Sequence, residues 1–130
     1  MSKLNYKSAG VDIDAGNEAV DRIKNKVKST FTPDVLAGLG SFGSLFSIKD
    51  ISKDYDDPVL VQSIDGVGTK TIIAKKLKKY DTIGIDLLSA CANDILVMGA
   101  KPLTFLDYIA SEKLNPAVIE EIVSGMVVGC

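Results

Sequence analysis

Pro58-Val-Leu-Val-Gln-Ser-Ile-Asp-Gly-Val-Gly-Thr-Lys70 is the stretch on which the fold turns. Val59 to Ile64 is an apolar run of strand length. Asp65-Gly-Val-Gly-Thr-Lys70 follows, and Lys70 opens a helical pattern over 70–79. A strand, a glycine turn and a helix in this order set a helix N-terminus beside closely approachable backbone N–H groups. Such a place suits an anion. Thr69 and Lys70 have the chemistry to contact phosphate oxygens, and Asp65 that to hold a magnesium ion travelling with them. A plain glycine turn with a surface lysine accounts for six isolated residues equally well, so the rest of the chain has to decide.

Working outward, Asp81 is expected to cap a second helix, from about Ile83 to Met98, which Gly99 and Pro102 stop. Its residues are nearly all apolar, as in a helix buried on most sides. Yet it carries Asp86, Ser89, Asn93 and Asp94. Asp86 and Asn93 are two turns apart on one face, and Asp94 lies about 80° round from Asp86. Buried carboxylates need partners. Beside a phosphate-binding turn, Asp86, Asn93 and Asp94 are expected to serve a metal ion.

Further helices are expected after Asp14, with the stripe Ala19, Val20, Ile23, Val27, and from Asn115-Pro116. Ser44–Ile48 and Leu103–Ile109 read as strands, and 1–13 as an arm. The order of elements favours α+β, a small mixed sheet flanked by helices. Gly38-Leu-Gly-Ser-Phe-Gly43 has the spacing of a dinucleotide fingerprint but lacks the preceding strand and following helix. It stands as a glycine loop able to close on phosphate. Asp65–Lys70 is not a Walker A loop, because Thr69 separates Gly68 from Lys70.

The chain has 130 residues, 46% of them hydrophobic, enough for one domain with a core. A net charge of −2 gives no field for nucleic acid or an anionic membrane. No signal-peptide pattern is present, and Cys91 and Cys130 have no metal spacing, so a cytoplasmic protein with reduced thiols is expected. Without histidine, His-based triads and His-ligated zinc are excluded within this chain.

Tyr6-Lys-Ser-Ala-Gly-Val-Asp-Ile-Asp-Ala-Gly-Asn17, the glycine loop 38–43, Asp65–Lys70, Asp81–Asp86, Cys91-Ala-Asn-Asp94 and Gly99–Tyr108 together resemble the aminoimidazole ribonucleotide synthetases, or phosphoribosylformylglycinamidine cyclo-ligases. The resemblance runs the length of the chain. It implies ATP-dependent ring closure of formylglycinamidine ribonucleotide in purine biosynthesis. Residues 1–130 would be the N-terminal ATP-binding and dimerisation domain, with the C-terminal domain absent and this fragment inactive alone. The sheet would be completed into a barrel in a homodimer. By position, Asp65 and Asp94 would bind Mg²⁺, with Asp86 and Asn93 further candidates. Gly66, Gly68, Thr69 and Lys70 would cradle phosphate, Gly40, Ser41, Phe42 and Gly43 would close on it, and the arm Tyr6–Asn17 would cover the nucleotide. The acid or base is not identified. Other expectations are a non-catalytic dimerisation module, or another ATP enzyme of the selenophosphate synthetase or thiamine-phosphate kinase type.

Overall fold

The computed structural model describes Tyr6, residues 9–40 and residues 43–130. Four α-helices dominate: α1 (Ile13–Lys28), α2 (Lys70–Leu77), α3 (Asp81–Leu96) and α4 (Pro116–Gly129). A 3₁₀ turn spans Ile51–Asp54.

Local chemistry sets the helix ends. Asp12, not the expected Asp14, caps α1, its carboxylate accepting from the Ala15 N–H at 3.1 Å. Asp14 lies inside the first turn, and Lys26 and Lys28 in the last, which suits the helix dipole. Asn115 caps α4, accepting from the N–H groups of Ala117 and Val118 at 3.0 and 3.4 Å, with Pro116 at the first helical position. α2 ends earlier than expected, because Lys78 turns left-handed at φ 51°. α3 begins at Asp81 itself and ends at Leu96, after which Gly99 takes φ 72°.

The core is the meeting of α1, α3 and α4. Ala19 and Ile23 of α1, Leu87 of α3, and Ile119, Val123 and Met126 of α4 form one buried cluster. Each large side chain there contributes about 1.5–3 kcal/mol by leaving water. α3 and α4 approach through glycines. A Cβ on Gly84 would lie 2.0 Å from the Ile122 carbonyl oxygen, and one on Gly125 1.8 Å from that of Asp81. α1 is pinned to α4 by charge: Glu120 accepts from Arg22 at 3.0 Å and pairs with Lys26 at 2.9 Å, and Lys26 also donates to the Ser124 hydroxyl.

Two expectations are corrected. The small mixed sheet does not form. Among the described residues the strand pairing amounts to one antiparallel bridge, Val35–Phe46. It is flanked by Leu36 N–H to Leu45 O and Ser47 N–H to Asp34 O, both 2.8 Å. The runs 58–64 and 103–109 have strand composition but meet no second row of backbone donors and acceptors. A ladder requires such a row. Val59 and Ile64 are left 82% and 94% exposed, and Tyr108 89%. Nor is α3 buried on most sides. Ile83, Gly84 and Leu87 are its buried positions, while Leu96 and the following Val97 and Met98 face out. Its apolar composition exceeds what α4 alone covers. Among the described residues no helix is long and apolar enough to cross a membrane.

Candidate functional site

The turn after the 58–64 run has a tight local geometry. Val67 and Gly68 take φ 49° and 58°, two successive left-handed residues. For a β-branched valine this conformation is costly, on the order of 1–3 kcal/mol, and persists only where surroundings enforce it. Two contacts do so here. The Asp65 carboxylate, through Oδ1, accepts from the N–H groups of Gly66 and Val67, the latter at 3.1 Å. The Val67 side chain packs against the helical core. The Gly68 N–H closes onto the Gly66 carbonyl at 2.7 Å.

Lys70 begins α2 directly after this turn. Thr69 occupies the N-cap position with helical dihedrals, and no side chain caps the helix. The Thr71 and Ile72 N–H groups of its first turn close onto the Gly68 and Thr69 carbonyls at 3.4 and 3.0 Å. Thr71, next along, donates from its hydroxyl to the Gly68 carbonyl at 3.0 Å.

Both ends of the turn are tied to α3. On the early side, Ser63 donates from Oγ to Asp94 Oδ2 at 2.8 Å. On the late side, Lys70 Nζ bonds Asp86 Oδ2 at 3.2 Å. Asp86 and Asp94 are eight residues apart, about 12 Å along a helix. The turn thus lies along α3, held at two points. Lys70 meets Asp86 directly, Ser63 meets Asp94, and Asp65 lies in the turn between these two ties.

The expected reason for that neighbourhood is corrected. Asp86 is 43% exposed and Asp94 is exposed too, so neither is a buried charge in need of a partner. The Asp86 carboxylate is neutralised by Lys70. The Asn93 side chain is exposed, with no hydrogen bond among the described residues. Gly40 takes φ 108° in the loop beyond the Val35–Phe46 bridge, and neither Gly40 nor Gly43 is hydrogen-bonded to the turn. Ser41 and Phe42 lie outside the described residues, as do Lys7 and Ser8 of the arm. Residues 10–12 of that arm border an open groove of about 250 Å³ with Tyr108, Ile109, Ser111 and Leu114. In the adjacent run, partial desolvation raises the Asp107 carboxyl above its usual range, against a hydrogen bond from the Tyr108 N–H, while the residue stays open to solvent.

Ser63 was not picked out by sequence reasoning. Its one signal is a polar residue interrupting an apolar run two positions before Asp65.

The donor set suits a hard cation shared with phosphates. Among the described residues no three His, Cys, Asp or Glu gather into a metal cage. Asp65 keeps Oδ2 and Asp94 keeps Oδ1 outside their hydrogen bonds. One or two carboxylates plus phosphate oxygens is the usual magnesium environment.

The family model for the AIR synthase related protein, N-terminal domain, matches residues 50–130. A phosphoribosylformylglycinamidine cyclo-ligase of Carboxydothermus hydrogenoformans is 56% identical over 130 residues, covering 100% of this chain and 37% of the relative. That of Brevibacillus brevis is 55% identical over 125 residues, covering 96% of the chain and 36% of the relative. The trifunctional purine biosynthetic protein adenosine-3 of Chironomus tentans is 54% identical over 129 residues, 99% of the chain and 9% of its own length. The chain spans little more than a third of the cyclo-ligases it matches.

Proposed function

The chain belongs to the AIR synthase related family by its N-terminal domain, and from that premise we propose that it is the nucleotide-binding part of an ATP-dependent cyclo-ligase of purine biosynthesis. The reaction is ring closure of formylglycinamidine ribonucleotide. ATP activates the formyl oxygen as a phosphate ester, and the amidine nitrogen displaces it. One observation carries the reading: the turn Asp65–Lys70 is held along α3 by Ser63–Asp94 and Lys70–Asp86, with donors and carboxylates in one place.

In this reading the Gly66–Gly68 backbone shapes the turn, its N–H groups being taken up by Asp65 Oδ1 and the Gly66 carbonyl, while the Thr69 hydroxyl and Lys70 Nζ bind phosphate oxygens. Asp65 and Asp94 would hold Mg²⁺, whose charge would offset that of the phosphates. Lys70 exchanges Asp86 for phosphate when nucleotide arrives. That exchange costs little, because an exposed ion pair is worth about 0–1 kcal/mol.

The test is Asp65→Asn in the full gene product, with ATP hydrolysis dependent on formylglycinamidine ribonucleotide as readout. Turnover falls steeply at limiting magnesium, while the melting temperature holds because asparagine preserves the turn. Near-normal turnover at limiting magnesium removes Asp65 from the site.

A second feature supports self-association. The runs 58–64 and 103–109 leave Val59, Leu60, Ile64, Leu106 and Tyr108 exposed. Unpaired runs of this composition favour a second copy as partner. Sedimentation should find dimer at micromolar concentration, and monomer alone refutes the pairing. The same reading makes the protein cytoplasmic, with Cys91 and Cys130 as free thiols.

A further inference from the structure

We propose that Ser63 is a positioning residue for the cation site: its hydroxyl fixes the Asp94 carboxylate beside the turn that carries Asp65. The inference rests on the reading of Asp65 and Asp94 as cation ligands and adds a residue to it. The observation is the 2.8 Å hydrogen bond from Ser63 Oγ to Asp94 Oδ2, across 31 residues of sequence.

The two α3 carboxylates near the turn are held in different ways. Asp86 meets the ammonium of Lys70 at 3.2 Å, so its charge is already compensated. Asp94 meets a neutral hydroxyl. A hydroxyl donor orients a carboxylate without cancelling its charge, and it occupies one oxygen only. Asp94 therefore retains a full negative charge and a free Oδ1. Of the two, it is the one left able to attract a cation.

Reach supports the same assignment. Ser63 and Asp65 are two residues apart, so their Cα atoms are separated by at most about 7 Å. The hydrogen bond to Ser63 therefore sets the Asp94 carboxylate beside the segment that carries Asp65, although α3 and the turn are distant in sequence. Asp94 is exposed, and an exposed aspartate otherwise samples several rotamers. Fixing it beforehand lowers the ordering cost on binding, which is how an outer partner tunes a ligand.

The test compares Ser63→Thr with Ser63→Val in the full gene product. The two side chains have the same shape and differ by the hydroxyl. Mn²⁺ serves as the probe, and its free concentration is read by electron paramagnetic resonance in the presence of a non-hydrolysable ATP analogue. Ser63→Thr should bind Mn²⁺ as the native protein does. Ser63→Val should bind roughly tenfold more weakly, the lower end of the loss from removing an outer-shell partner, with an unchanged melting temperature. Equal affinity for the two variants overturns the role of Ser63. Asp94→Asn separates the two levels. If it binds Mn²⁺ as the native protein does, the cation-site reading itself falls. If it loses Mn²⁺ while Ser63→Val does not, the site stands and the positioning role alone is refuted.

Discussion

Replacing Gly125 with alanine should drive α3 and α4 apart. The added Cβ would lie 1.8 Å from the Asp81 carbonyl oxygen, 2.9 Å from its carbon and 3.1 Å from the Ile85 nitrogen. All three are backbone atoms, so no rotamer change relieves the overlap. Reaching ordinary contact at 3.4 Å requires a displacement of about 1.6 Å at the crossing. That displacement loosens Leu87, Ile119, Val123 and Met126, which are all buried in the cluster beside it. Overpacking in a close-packed core costs about 1–3 kcal/mol and sometimes more. Against this, alanine is about 1 kcal/mol better than glycine inside a helix. Because the clash is with backbone, the upper range applies, and a net loss of ~2 kcal/mol is expected. For a domain of this size that lowers the melting temperature by roughly 6–12 °C. Thermal unfolding followed by circular dichroism is the assay, with Gly16→Ala as control. Nothing lies within 4 Å of a Cβ at Gly16 in α1, so the helix preference acts alone there. That variant should melt a few degrees higher. Gly84→Ala should act as Gly125→Ala does, and the double variant should cost less than the sum, since one displacement relieves both clashes. A Gly125→Ala protein melting at or above the native temperature refutes the close-crossing argument.

Other outcomes follow from single contacts. The Glu120 carboxyl is held below its usual range, first by the hydrogen bond from Lys26 and then by that from Arg22. A depressed carboxyl contributes stability above its unfolded value and loses it as the pH falls through the folded one. Melts should therefore show acid loosening of α1 from α4 below about pH 4.5, and Glu120→Gln should flatten that part of the profile; an identical profile refutes the link. Asn115→Ala removes the α4 cap and should cost about 1 kcal/mol by denaturant titration. Lys70→Met should weaken nucleotide binding in a titration without lowering stability by more than about 1 kcal/mol, because its ion pair with Asp86 lies at the surface. Residues 1–130 on their own should bind nucleotide weakly at most and show no ring closure, since aligning reactants supplies on the order of 7–11 kcal/mol in favourable cases; measurable turnover by this fragment refutes that expectation.

The helices were legible because their signals are local. A cap, a proline at the first position and an apolar stripe all lie within one or two turns of each other, as at Asn115-Pro116 and Ile119, Val123, Met126. The mixed sheet was not legible. Val59–Ile64 and Leu103–Ile109 do have strand composition, but composition reports a surface that wants covering and not the row of backbone groups that would cover it. The turn itself could be read because its glycines, Asp65 and Lys70 are contiguous. Its anchoring could not. Ser63 to Asp94 and Lys70 to Asp86 span 31 and 16 residues with no period linking them, and they arise from where α3 happens to run. The burial argument for Asp86 and Asp94 reached a plausible neighbourhood for a wrong reason. It took an apolar helix to be an enclosed one.

α3 connects the core to the turn, and this makes the two sets of experiments informative about each other. On one side it meets α4 through Gly84, against the Ile122 and Gly125 backbone. About 200° round from Gly84 on the helix, Asp86 holds Lys70. Asp94, two turns further on, holds Ser63. The depth to which α3 settles on α4 therefore sets where both carboxylates stand, and with them the two ends of the turn. Val67 closes the same circuit from below, since its left-handed backbone is kept in place by packing on the core that α3 and α4 build. A crossing widened by Gly125→Ala should then weaken Mn²⁺ and nucleotide binding as well as stability, although Gly125 makes none of the turn's hydrogen bonds. Ser63→Val should weaken Mn²⁺ binding and leave stability unchanged. If Gly125→Ala lowers the melting temperature while Mn²⁺ affinity stays native, the turn is positioned independently of the helix crossing, and α3 does not transmit one to the other.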